Sequence, residues 1–324
     1  MTANRSACWA GILLVAILAV AAEAQQARRP YRIGVLNEAW AASHPTVEGL
    51  KAGLRELGLE EGRDIRFDIR FTEGNLDAMP AAAAALVKAD VNLIFTSQYA
   101  ATRAAKDATK SIPIVFTLVG DPAAAGLVTN LLQPEANVTG VTSLHADLVA
   151  KRIEILKTLA PSIRRVWVIH DGSDPTATPM VVKALNAGQR LKVEVIPRGV
   201  LTTDDVALRL RDVRHGDALL APETSNLDIP TAILQTSLAA RVPAAFTTAL
   251  WVGHGGLVSY GPDYYAHGVQ AAELVAKIVR GARPQDVPVE GTDKIDLAVN
   301  LKTADLLGIT VPQRILLRAD AFRR

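Results

Sequence analysis

Between Ser111 and Pro122 the chain reads SIPIVFTLVGDP, followed shortly by NVTGV at Asn137 to Val141. Ile112 to Leu118 is a β-branched and aromatic run of strand length. It stops at Gly120-Asp121-Pro122, where backbone freedom, a side-chain acceptor and a fixed φ meet. The pattern predicts a buried strand that ends in a polar turn. In open α/β sheets such a turn, beyond the carboxyl end of a strand, is where ligands bind.

Upstream of this strand the chain alternates. Tyr31 to Leu36 is a short apolar strand, and Val47, Leu50, Leu54 and Leu57 then recur at helical spacing up to a terminating Gly58. Residues 64–71 alternate charged with apolar side chains, an alanine-rich helix is predicted over Met79 to Ala89, and Val91 to Thr96 is the next buried strand. Ser97-Gln98-Tyr99 opens a helix reaching Thr109. The order βαβαβαβ predicts a parallel sheet with helices on both faces.

Downstream the pattern restarts. Helices are predicted over 146–159, around 179–190, from Asp204-Asp205 and over about 228–240, with strands at 165–170, 192–196, 217–221 and 243–247. The fold class is therefore α/β, as two similar doubly wound parallel-sheet lobes hinged near Val141 to Leu144, with a cleft between them. Gly255 to Gly281 reads as a strand, a Gly-Pro turn and a long helix, expected to cross back to the first lobe. This gives lobe 1 as 31–142 plus about 255–281 and lobe 2 as 143–250. The segment 282–324 has no lobe assigned, and its ordered part is expected to end with a strand at 295–300 and a short helix at 303–307.

Composition narrows the function. A chain of 324 residues that is 49% hydrophobic has material for two cores. A net charge of +2, from 35 basic and 33 acidic residues spread along the chain, forms no basic stripe, so no nucleic-acid partner is indicated. Arg5, the apolar run Trp9 to Ala22 and the small-x-small site Ala22-Glu23-Ala24 read as a secretory signal peptide over 1–24; the alternative is a membrane anchor, for which the run is short. Cys8, the single cysteine, lies ahead of that run, so an exported mature chain has no disulfide and folds by burial alone. A periplasmic location follows.

RIGVL at 32–36, GLRELG at 53–58 with EGRDI at 61–65, AAKDATKSIPIVFTLVGDP at 104–122, NVTGV, KRIEILK at 151–157, GGLVSYGPDY at 255–264 and AVNLKTADLLGITVP at 298–312 occur in this order. Together they resemble the ABC transporter substrate-binding protein family of the tryptophan-binding type. The resemblance covers about Tyr31 to Asp320 and implies the type I periplasmic binding protein architecture. It also implies capture of a small solute, often an aromatic amino acid or related compound, for delivery to the membrane permease of an ABC importer. The loops Asn37-Glu38-Ala39-Trp40 and Ser97-Gln98-Tyr99 depart from the family pattern at expected ligand-facing positions, so the solute does not carry over.

In this topology the candidate ligand contacts of lobe 1 are Asn37, Glu38, Trp40, Ser97, Gln98, Tyr99, Gly120, Asp121, Thr139 and Gly140. Ser97, where a helix begins, offers a hydroxyl beside free N–H groups to a carboxylate, or serves as an N-cap. Asp121 either accepts from a ligand or bonds its own turn. Lobe 2 contributes Asp171, Ser173, Glu223, Thr224 and Thr247, and the SYGPDY turn adds Tyr260 and Asp263. Glu223 suits an α-ammonium. Trp40, Tyr99 and Trp251 suit an apolar slot. No dinucleotide fingerprint, P-loop, G-x-S-x-G or H-E-x-x-H is present, and the six histidines show no metal-ligand spacing. No catalytic residue, metal or cofactor is assigned; the protein is read as a binding protein and a monomer. An exported sensory module that presents its closed form to a membrane receptor kinase would use the same lobes, and neighbouring genes would separate the two. An exported α/β enzyme is the third reading.

Overall fold

The computed structural model describes residues 30–38, 44–134, 136–175, 177–222 and 228–323, without the Thr203 side chain. The signal-peptide reading of 1–24 lies outside them. Strands β1 (Tyr31–Asn37), β2 (Ile65–Phe71), β3 (Leu93–Ser97), β4 (Ile114–Val119) and β5 (Val138–Thr142) alternate with helices α1 (Pro45–Glu56), α2 (Met79–Lys88) and α3 (Gln98–Ala108). β3, β4 and β5 are buried along their whole length, because helices cover both faces of a parallel sheet. β2, at the edge, alternates polar and apolar residues and is half exposed.

The second half repeats the first. Strands β6 (Arg165–Asp171), β7 (Glu194–Val200), β8 (Asp217–Leu220), β9 (Ala244–Phe246) and β10 (Val258–Pro262) alternate with α4 (His145–Leu159), α5 (Ala177–Leu191), α6 (Thr203–Leu210), α7 (Ile229–Ala240) and the short α8 (Ala249–Gly253). The strand orders are β2-β1-β3-β4-β5 and β7-β6-β8-β9-β10, the doubly wound arrangement twice over. Each sheet is buried on both faces. In lobe 1 one core joins β1 and β3 to α1 and a second joins β4 to α2 and α3; in lobe 2 the corresponding cores lie under α4 with α5 and under α6 with α7. Asp217 anchors the start of β8, accepting from Arg165 at 2.7 Å and from the Trp167 indole at 3.0 Å.

Two expectations are corrected here. Residues 255–281 do not travel as one block: β10 stays in the second sheet, paired with β9 and with β12 (Ile295–Asn300), and only the helix that follows, α9 (Tyr264–Val279), crosses to lobe 1 and packs on α1. The ordered chain also continues past Leu307. β11 (Glu290–Gly291) adds to β5, α10 spans Leu301–Leu306, and α11 (Gln313–Leu316) leads to β13 (Ala321–Arg323), which pairs with β12. The C-terminal segment is thus shared, with β11 on the first sheet and β12 to β13 on the second.

Candidate functional site

Both sheets end at one slot. Tyr99, Leu118, Val119 and Gly120 form its lobe 1 wall, and His145, at the start of α4, forms its floor. His170, Asp171, Asp174, Ala177, Met180 and Pro222 form the lobe 2 wall, and the cavity left between the walls is small, about 30 Å³. A doubly wound sheet places its ligand beyond the carboxyl ends of its strands, and here two sheets share one such crevice.

The lobe 1 wall is held in an unusual backbone. Leu118 is buried yet left-handed, with φ of 56°, and the ladder to β5 jumps from Phe116 to Val119. Gln98 is left-handed too, with φ of 72°, where β3 passes into α3. A left-handed non-glycine residue costs of the order of 1 kcal/mol or more and persists where its surroundings over-determine it, often at ligand clamps. The bulge, near the end of β4, puts Leu118 and Val119 on the slot wall.

The slot carries acid and apolar surface together. Glu38 follows β1 directly; burial, and then the Asp174 carboxylate of the opposite lobe, push its pKa from an ordinary 4.5 up to about 7. Asp171 is buried, and its Oδ1 accepts from the Ser173 N–H at 2.8 Å and the Ser173 hydroxyl at 2.6 Å, which fixes the turn at the slot rim. α3 begins beside Tyr99 with no side-chain cap from Ser97, and α5 begins at Ala177, so a helix N-terminus from each lobe faces the slot. Among the described residues no cluster of His, Cys, Asp and Glu is placed to hold a metal ion.

The model of the ABC transporter substrate binding protein family matches residues 39–323. The chain belongs to this family. The "Tyrosine-binding protein" of Clostridioides difficile (strain R20291) is 27% identical over 287 residues, 86% of this chain and 82% of that one. A conserved domain protein from Vibrio cholerae O1 biovar El Tor superposes with a TM-score of 0.84 at 28% identity, over 91% of this chain and 100% of that one. The ABC domain in complex with L-Trp from Streptococcus pneumonia gives 0.82 at 24% identity, over 90% and 99%.

Seen on this substrate-binding protein, the residues chosen from sequence divide. Tyr99, Gly120 and Asp171 line the slot; Gln98 stands just before Tyr99 at the start of α3, and Ser173, exposed, follows Asp171. Asn37 is buried at the end of β1, where its carbonyl accepts from the Thr72 N–H, and Thr247 is buried at the end of β9. Trp40, Glu223 and Thr224 lie outside the described residues.

Five assignments are corrected. The Thr139 hydroxyl is buried inside lobe 1 and donates to the Val287 carbonyl at 2.7 Å, so it ties β5 to the C-terminal segment. Gly140 is needed for space, since a Cβ there would lie 2.2 Å from the Phe116 carbonyl oxygen. Tyr260 packs on the lobe 2 core and lines an outer cavity with Lys151, Glu154 and Arg314. Asp263 caps α9, accepting from the Tyr265 and Ala266 N–H groups, and pairs with Lys294 at 2.7 Å. Ser97 is fully buried and takes a 3.4 Å contact from the Thr117 hydroxyl in place of capping α3. Asp121 accepts from the Ala124 N–H at 3.0 Å, the turn role of its two readings.

Sequence reasoning missed Leu118, His145, Asp174 and Met180. The histidines show no metal-ligand spacing, so His145 carried no such signal. Its position at the first helical residue after the lobe junction was the available signal.

Proposed function

We propose that the protein is the exported solute-binding component of an ABC importer, closing its lobes on an amino acid with an aromatic or large apolar side chain for delivery to a membrane permease. One observation carries this reading: Glu38, at the end of β1 in lobe 1, feels the charge of Asp174, which lines the slot from lobe 2. Without a cation between them, closure brings like charges together and takes them out of water. A ligand ammonium between them removes that cost and ties the two walls, which is the differential affinity needed to shift a population toward closed. Helix N-termini suit the carboxylate of the same molecule. Tyr99, Leu118 and Met180 offer an apolar surface for its side chain. Relatives whose names carry tyrosine and L-Trp support that side-chain class.

The test is a thermal-shift and calorimetric screen of the mature chain with L-tyrosine, L-tryptophan and L-phenylalanine beside their deaminated acids. A bound amino acid at 100 times its Kd should add about 2.7 kcal/mol of stability. The deaminated acids should add little. Equal stabilisation by both sets, or by neither, sinks the proposal.

A further inference from the structure

We propose that His145 is the donor that takes the solute's carboxylate, held in one tautomer by the buried Arg152; this deepens the amino-acid reading and rests on it.

The placement starts from helix geometry. His145 is the first residue of α4, and Arg152, seven residues on, lies on the same helix face two turns away. Arg152 is fully buried, which a charged side chain rarely is unless it is paired. Its Nε donates to the Tyr260 carbonyl at 2.7 Å, and its Nη1 lies 2.9 Å from His145 Nδ1 and 3.5 Å from the His145 carbonyl oxygen. A guanidinium has donors and no acceptor. The ring nitrogen that faces it therefore carries the lone pair. Burial first, and the Arg152 charge second, hold the imidazole well below its ordinary pKa, so the ring is neutral and its one proton sits on Nε2.

That Nε2–H bonds no group among the described residues, although His145 is only 7% exposed and the ring lines the slot. An oriented donor on the wall of a cavity is a ready partner for an acceptor that enters it. The cation behind the ring polarises it, so the donor suits an anion better than a neutral carbonyl. The slot then has two poles. Asp174 in the slot wall, with Glu38 near enough to feel its charge, forms the acid pole for an ammonium, and His145 backed by Arg152 forms the pole for a carboxylate.

The experiment compares L-tyrosine and L-tryptophan with their C-terminal amides by titration calorimetry on wild type, His145→Phe, His145→Gln and Arg152→Met. Wild type should prefer each free acid over its amide by about 10- to 100-fold, the range of one charge-assisted hydrogen bond. His145→Phe should lose most of that preference. His145→Gln, whose amide N–H can stand near Nε2, should keep part of it. An acid-to-amide ratio unchanged in His145→Phe overturns the proposal while the amino-acid reading stands. If wild type binds no amino acid, the functional reading fails in wild type alone and the carboxylate role falls with it. Nitrogen-15 spectra of the unliganded protein give a second readout that a misfolded variant cannot confuse: a neutral ring protonated at Nε2 between pH 5 and 8 is expected, and a ring carrying its proton on Nδ1, or protonating near pH 6.5, overturns the tautomer assignment.

Discussion

Glu38 is the residue whose chemistry is most changed by folding. Its carboxyl is pushed from 4.5 up to about 7, by burial first and Asp174 second, so the folded, unliganded protein holds a proton that the unfolded chain releases. The sign follows. Below pH 4.5 both states are protonated and the site costs nothing; between 4.5 and about 7 the cost of deprotonating it in the fold grows with pH. The expected outcome is that Glu38→Gln raises Tm relative to wild type at pH 8 and leaves it nearly unchanged at pH 4.5, read by thermal scans of the ligand-free protein. Parallel Tm profiles for the two proteins across that range would contradict the assignment. At this scale the sequence was least legible. The side chains that recognise a zwitterion, Ser, Thr and Asp, are the same ones that cap helices and close turns, as Asp263, Thr139 and Asp121 do here. Only the fold distinguishes the two uses.

Elements were read more reliably, because period and turn chemistry act locally. Central strands with apolar runs, such as β3 and β4, and helices with a clear stripe, such as α1, lie within a few residues of their expected positions. The exceptions have physical causes. β13 is three exposed residues whose strand state comes from pairing with β12 alone. The bulge at Leu118 is a ladder irregularity, which no composition announces. The junction of α1 with α9 was also hidden, although its glycines stood in plain view. A Cβ on Gly49 would come 2.0 Å from the Tyr265 carbonyl oxygen, and one on Gly268 2.0 Å from the Thr46 carbonyl oxygen. These are backbone contacts, which no rotamer change relieves. Gly49→Ala should therefore separate the helices and cost at least about 1–3 kcal/mol in urea denaturation, the range for an overpacked core. Gly253→Ala, in open space at the end of α8, serves as the control and should be neutral within about 1 kcal/mol. Equal midpoints for the two variants would show that the α1 to α9 contact is looser than described.

For the whole molecule the duplicated alternation made two lobes legible, while the distribution of the last seventy residues between them was not, since β10, α9, β11 and β12 pass from one lobe to the other and back. The passages are short and tied to each other. The Thr292 N–H donates to the Thr142 carbonyl at 3.0 Å, the Asp263 N–H to the Lys294 carbonyl at 3.3 Å, and the Lys294 ammonium to the Asp263 carboxylate at 2.7 Å. Short crossings bonded side by side are the arrangement a hinge closure needs. Glu38 of lobe 1 feels the charge of Asp174 of lobe 2, so under the proposed function the free energy of closing should depend on the charge there. Raising the pH past 7 adds a negative charge to the closed slot and should open the unliganded protein; an ammonium ligand should cancel the effect. A tenfold change in the open-to-closed ratio, about 1.4 kcal/mol, is enough to be seen in solution scattering. The radius of gyration of the ligand-free protein should be larger at pH 8 than at pH 5, and saturating L-tyrosine or L-tryptophan should bring both to the smaller value. In Glu38→Gln the ligand-free radius should no longer depend on pH. If the wild-type radius is the same at both pH values and unmoved by solute, the charge at the lobe contact does not govern closure, and the acid pole would be a site for the ammonium without being the switch.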